Sequence, residues 1–125
     1  MAAASALVAT AILLALAGFQ AQLARGRPLG RLAWGGAHEV LPPGLRTASA
    51  ISIAVYLAVA LVLLDAAGVI DALGRWTGTA AWALAGYFLL GVLMNAVSRS
   101  RDERRVMTPV ALALFLLSLA VALGA

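Results

Sequence analysis

The sequence predicts an all-α membrane protein: a bundle of four transmembrane helices, with a short interfacial helix in the first loop. Three observations carry this. Of 125 residues, 64% are hydrophobic and only 11% charged, with mean hydropathy +1.02, far beyond the composition of soluble domains. Four apolar runs, at about residues 3–24, 43–70, 77–98 and 108–125, approach or exceed the roughly 20 residues that cross hydrocarbon as a helix. All nine basic residues are arginines, and they fall almost entirely into two loops. Arg25, Arg27, Arg31 and Arg46 lie between the first and second runs, and Arg99, Arg101, Arg104 and Arg105 between the third and fourth. The middle loop holds only Arg75.

Helix is favoured over strand because the runs are long and uninterrupted, and in lipid each must satisfy its own backbone groups. The first run has no charge before Arg25. A cleavable signal needs a basic segment ahead of a short apolar core, so this run reads as a retained helix. Pro43 suits the first turn of the second helix, where a missing N–H costs nothing. Thr108-Pro109 gives the same start signal for the fourth, while Ser100 and Glu103 have capping-box spacing and predict a separate interfacial turn before it. Trp76 and Trp82 mark one end of the third helix at headgroup level, and Trp34 would mark the opposite interface.

In the first loop, Leu29, Leu32 and Ala33 fall on one helical face between Pro28 and Gly35-Gly36, flanked by Arg27 and Arg31. That spacing predicts a short amphipathic helix lying in the interface. A weak internal repeat relates Gly18, Gln22 and Arg25 to Gly91, Asn95 and Arg99, as two parallel helix hairpins would. Ala50, Ala54 and Ala58, and likewise Ala11, Ala15 and Gly18, form four-residue small stripes suited to close helix packing.

Arginine in short loops stays on the cytoplasmic side, so both termini and the middle loop are expected outside the cell. The Arg-only, Ala-rich composition suits a GC-rich genome, and the expected home is a bacterial plasma (inner) membrane. The net charge of +4 is read as topology and as contact with anionic headgroups through the eight loop arginines, not as a nucleic-acid footprint. Cysteine is absent, which excludes disulfides and thiolate chemistry. No metal site or cofactor is expected, because a lone His without a second His or Cys does not build one.

Candidate polar sites are few. An ionisable residue inside a span is a functional candidate by default, and Asp65 comes nearest to that description. It reads either as a solvated or Arg75-paired carboxylate or as an ion site facing the other helices. Asp71 and Arg75, four apart, have the spacing of a helical ion pair. Tyr56 and Tyr87 fall mid-span, where each hydroxyl needs a partner. Gln20, Gln22, Thr47, Ser49, Ser52, Asn95 and Ser98 gather toward the Arg-rich side, beside His38 and Glu39. They read as interhelical hydrogen bonds or as a vestibule for a polar ligand, with Gln22, Asn95 and His38 the main candidates. His38 and Glu39 suggest a general base, but neither G-x-S-x-G nor H-E-x-x-H is present, and no enzymatic activity is expected.

The chain does not resemble small multidrug exporters, which carry a glutamate in the first helix, since this first helix has no acid. Nor does it resemble fluoride channels, whose third helix carries a polar break that is missing here. The expected function is that of a non-enzymatic accessory, assembly or scaffold component acting through helix packing and its Arg-rich loops, with a homo-oligomer or another membrane protein as partner. The alternative is an oligomeric small-solute or ion transporter or channel using Asp65, Tyr56, Tyr87 and the Gln22 and Asn95 region.

Overall fold

The computed structural model describes residues 1–125. Helix α1 spans Ala2–Ala24, α2 Pro43–Ala66, α3 Thr77–Ala96 and α4 Arg101–Gly124, and there are no strands. All four are long and apolar enough to cross a membrane. Within each helix only 22% to 28% of the span window is buried against the rest of the protein. The remaining apolar face must be solvated by lipid or covered by another apolar surface, since exposing it to water would cost about 25 cal/mol for every Å².

Helix α1 packs along α2, α3 along α4, and α1 also against α4, while α2 and α3 touch least of the consecutive pairs. Small side chains let the backbones approach: Ala6, Ala9, Ala60, Ala81 and Ala122 are buried with Leu13, Leu63, Phe88, Leu114 and Val121 in one cluster. On α1 the buried positions Ala6, Ala9, Leu13, Ala17 and Gln20 follow the three- and four-residue steps of a helix face. The stripes anticipated from spacing lie elsewhere, because Ala11, Ala15 and Gly18, and Ala50, Ala54 and Ala58, are all exposed. In a helix apolar all round, alanine periodicity does not choose the inward face. The fully enclosed Leu13 and Leu63, with buried Gln20 and Ser49, occupy it instead.

Helix ends follow their capping residues. After α1, Gly26 turns left-handed at φ +89°, its N–H donates to the Leu23 carbonyl at 3.0 Å and Arg27 N–H to that of Gln22 at 3.1 Å. This is a Schellman stop. Gly68 (φ +79°) does the same for α2, with Val69 N–H on the Leu64 carbonyl at 2.9 Å. Helix α2 therefore ends at Ala66, not Ile70. Pro43 stands in the first turn of α2 as expected.

Helix α4 starts earlier than Thr108. The Ser100 side chain accepts from Glu103 N–H at 3.2 Å and caps a helix that runs unbroken through Pro109. The proline removes the amide that would meet the Arg105 carbonyl, and Arg105 is exposed near the helix start. The anticipated interfacial turn and the fourth span are thus one helix.

No amphipathic helix forms in loop one. Two single 3-10 turns, Gly30–Leu32 and Trp34–Gly36, are separated by extended Ala33. Trp34, Gly35 and Gly36 all have positive φ, at 52°, 80° and 74°, a run that excludes right-handed helix. Ala33 instead packs inward on Leu23 and Leu41, with Leu29 partly buried beside them. Gly36 lies so close to the Ser100 side chain that an added Cβ would overlap it.

Gly36→Ala should therefore lower stability by about 1–3 kcal/mol, from left-handed strain plus the clash. Gly18→Ala meets open space and should be neutral or stabilising by up to about 1 kcal/mol. Thermal unfolding of the two variants in the same detergent checks the contrast.

Candidate functional site

At the Arg-rich end the chain fastens its own helix termini. Arg46, on the first turn of α2, donates from Nε to the Ala24 carbonyl at the end of α1, at 2.9 Å. Arg104, on the first turn of α4, donates to the Ser98 carbonyl just past α3, at 2.6 Å. Each guanidinium thus meets the partial negative charge at the end of the preceding helix, where a cation is favoured. Arg46 and Arg104 are each the fourth residue of their helix, so the two hairpins close with the same device.

Loop one lies across these ends. The Trp34 indole N–H donates to Ser49 Oγ on α2 at 3.0 Å, and Gly35 N–H donates to Glu103 Oε2 on α4 at 3.2 Å. The Ser100 hydroxyl donates to the Arg31 carbonyl, and Arg31 pairs with Asp102 at 3.2 Å. Gly30 N–H closes the loop on the Glu39 carbonyl at 2.8 Å. Glu103 therefore departs from the reciprocal capping box: its side chain reaches loop one and not Ser100 N–H, which is held by Ser98 Oγ at 3.2 Å.

Beneath this loop, where α2 and α3 diverge, lies a cavity of about 330 Å³. All four α-helices and loop one contribute to its walls, which are mostly apolar. The polar groups in it are Gln20, Ser52, Tyr56, Tyr87, Asn95 and Glu103, with Trp34 at the loop-one side. Val55 of α2 and Tyr87 of α3 are both exposed as well as lining, which puts the mouth between these two helices. Gln20 Nε2 donates to the Tyr56 hydroxyl at 3.3 Å, leaving Gln20 Oε1 buried without a partner. Asn95 Nδ2 donates to the Gly91 carbonyl at 2.9 Å, which leaves its Oδ1 and one N–H unengaged.

Of the residues singled out from sequence, Tyr56, Tyr87 and Asn95 share this cavity and Gln22, His38 and Asp65 do not. Tyr56 bonds Gln20, while Tyr87 is exposed with its ring edge-on to Phe88, 5.3 Å between centroids. Gln22 is half-buried and makes no side-chain hydrogen bond, its neighbour two positions back having taken the inward face. His38 is exposed on loop one. The residues that sequence reasoning passed over are Trp34, placed by a left-handed turn, and Glu103, read only as a capping-box member. Gln20 was recognisable as a buried polar group by its helical spacing from Leu13 and Ala17.

Asp65 lies at the opposite end of the molecule. Its Oδ2 accepts from Ala72 and Leu73 N–H, both at 2.7 Å, and its Oδ1 lies 2.9 Å from the Thr77 hydroxyl at the start of α3. This carboxylate organises the α2–α3 loop, and it is not paired with Arg75. Residues 70–76 are not helical, and no Asp71–Arg75 ion pair forms. The Arg75 guanidinium lies over the Trp76 ring instead, 5.3 Å from its centroid, and Trp76 and Trp82 are both exposed.

No family model, curated protein or solved structure matches this chain.

Asp65→Asn turns one oxygen acceptor into a donor facing backbone donors. Hydrogen exchange should accelerate at the Ala72 and Leu73 amides while leaving loop one protected. Unchanged exchange at those two amides would mean that the carboxylate does not hold the loop.

Proposed function

We propose that this chain is a non-enzymatic accessory or scaffold component of a bacterial plasma membrane, which presents loop one as a preformed docking surface on its cytoplasmic face. The observation that carries the reading is the fastening of loop one to α2 and α4 through Trp34–Ser49, Gly35–Glu103 and Arg31–Asp102. Its outward residues His38, Glu39 and Val40 are left exposed. A loop already ordered loses little conformational entropy on docking.

In this reading the Arg-rich end lies in the cytoplasm, because short loops rich in arginine are retained there, and both termini lie outside. Exposed Arg25, Arg27, Arg99, Arg101 and Arg105 are free to meet anionic headgroups, together with Arg31, Arg46 and Arg104 at their outer edges. The four helices act as a bundle of two parallel hairpins, a view supported by the matched positions of Arg46 and Arg104. An oligomeric transporter is the second reading. It is favoured by Tyr56, Tyr87 and Asn95 sharing one cavity, and weakened by the engagement of Asp65 in loop structure.

Extraction in native-lipid particles followed by intact mass measurement tests the proposal. The expected result is a second chain, identical or different, in fixed ratio, lost in Val40→Asp with thermal stability unchanged. A single chain carrying only lipid, or a complex indifferent to Val40→Asp, would contradict docking through loop one.

A further inference from the structure

We propose that the cavity beneath loop one binds a primary ammonium carried on a small apolar body, with the Glu103 carboxylate as its counter-charge. The site is separate from the outward face of loop one and stands whether or not that face docks a partner.

Glu103 is 6% exposed and lines the cavity. One oxygen accepts from Gly35 N–H, and no arginine lies within 4.0 Å of the carboxylate. A buried carboxylate with neither a cation nor a full set of hydrogen bonds is costly. The guanidinium groups that could have served it are committed elsewhere: Arg31 to Asp102, Arg46 to the Ala24 carbonyl and Arg104 to the Ser98 carbonyl. The first turn of α4 gives Glu103 only the partial positive charge of a helix N-terminus, and a ligand cation would complete the pair.

The remaining polar groups select the kind of cation. Gln20 is 7% exposed and lines the cavity together with Asn95, and its Oε1 has no partner. The Ser52 hydroxyl is used on the Ala48 carbonyl and the Trp34 N–H on Ser49. The Tyr56 and Tyr87 hydroxyls and one N–H of each amide remain as donors, and none of them can neutralise Glu103. A primary ammonium brings three N–H donors and a compact charge. A quaternary ammonium satisfies the charge but none of the acceptors, and an anion would meet Glu103.

Phe19, Tyr56 and Phe88 supply an apolar and aromatic wall, where a ring or short alkyl body is buried and the cation gains from the ring faces. A volume of about 330 Å³ lies at the lower end of small-molecule pockets and holds a head with one ring or a short chain. The mouth between α2 and α3 opens along the lipid-facing side. The same ammonium is available from a free amphipathic amine or from an aminophospholipid headgroup whose chains remain in the bilayer.

The test uses the full chain in liposomes of phosphatidylcholine and phosphatidylglycerol, with Trp76→Phe and Trp82→Phe leaving Trp34, at the cavity wall, as the sole tryptophan. Titration with 2-phenylethylamine should change Trp34 emission saturably. Both 2-phenylethanol and phenyltrimethylammonium should bind at least about tenfold more weakly, as loss of a charged hydrogen bond implies. Glu103→Gln should lower amine affinity by a similar factor and leave the alcohol response in place. Adding phosphatidylethanolamine separates the sources. Competition with the amine assigns the site to a lipid headgroup, and indifference assigns it to a free amine. No saturable response to the amine at millimolar concentration would overturn the proposal. So would equal binding of amine and alcohol, a comparison that stands even if Glu103→Gln fails to fold.

Discussion

Lipid solvation is the constraint on which this structure depends. Each helix buries only 22% to 28% of its span window within the protein, and the outward faces carry large side chains such as Leu7, Leu14, Leu57, Leu90 and Leu116. In water those faces would drive aggregation. In hydrocarbon they cost nothing, and the backbone is satisfied inside each helix. Between helices, contact is limited to narrow stripes in which alanine is interleaved with leucine, valine and phenylalanine. Specific chemistry is consequently displaced to the helix ends, where backbone groups need partners and charge is tolerated.

The two ends use that freedom differently. At the end bearing the middle loop, one carboxylate, Asp65, holds two amides and faces a hydroxyl, away from the cavity beneath loop one. At the Arg-rich end, Arg46 and Arg104 close the two hairpins by the same contact, and loop one is drawn down over them by bonds from Trp34, Gly35 and Arg31. This roof and the divergence of α2 from α3 together create the cavity. Its contents follow from the packing: a helix face that closes with alanine above ends in Gln20 below, and the cap of α4 lends Glu103 to the loop. The same bonds that stiffen the roof leave a carboxylate without a cation beneath it.

The spans were legible because length and hydropathy alone specify them, and the starts of α2 and α3 agree with expectation. Boundaries failed where two local signals competed. Ser100 with Glu103 and Thr108-Pro109 both announce a helix start, and only packing against loop one decides that the first prevails and the proline is absorbed. Gly68 was a readable stop for α2, obscured by the apolar residues that follow it. Loop one was illegible for a stronger reason: left-handed Trp34 is tied to Ser49, fifteen residues away, a contact that no local sequence pattern encodes. The inward faces were equally hidden, because alanine recurs on every side of α1 and α2. Tyr56, Tyr87 and Asn95 were found as polar residues within spans, whereas Gln22 and His38 drew attention for their chemistry while their neighbours Gln20 and Trp34 took the cavity.

The chain's lack of cysteine gives a silent background for the most direct test of the membrane arrangement. Single cysteines at Ala37 in loop one, Asp71 in the middle loop and outward-facing Leu14 in α1 would be exposed to a membrane-impermeant maleimide in intact cells. The account predicts labelling of Asp71→Cys at once, of Ala37→Cys only after permeabilisation, and of Leu14→Cys only after the bilayer is dissolved. Labelling of Ala37→Cys in intact cells would reverse the orientation, and labelling of Leu14→Cys in an intact membrane would contradict lipid solvation itself.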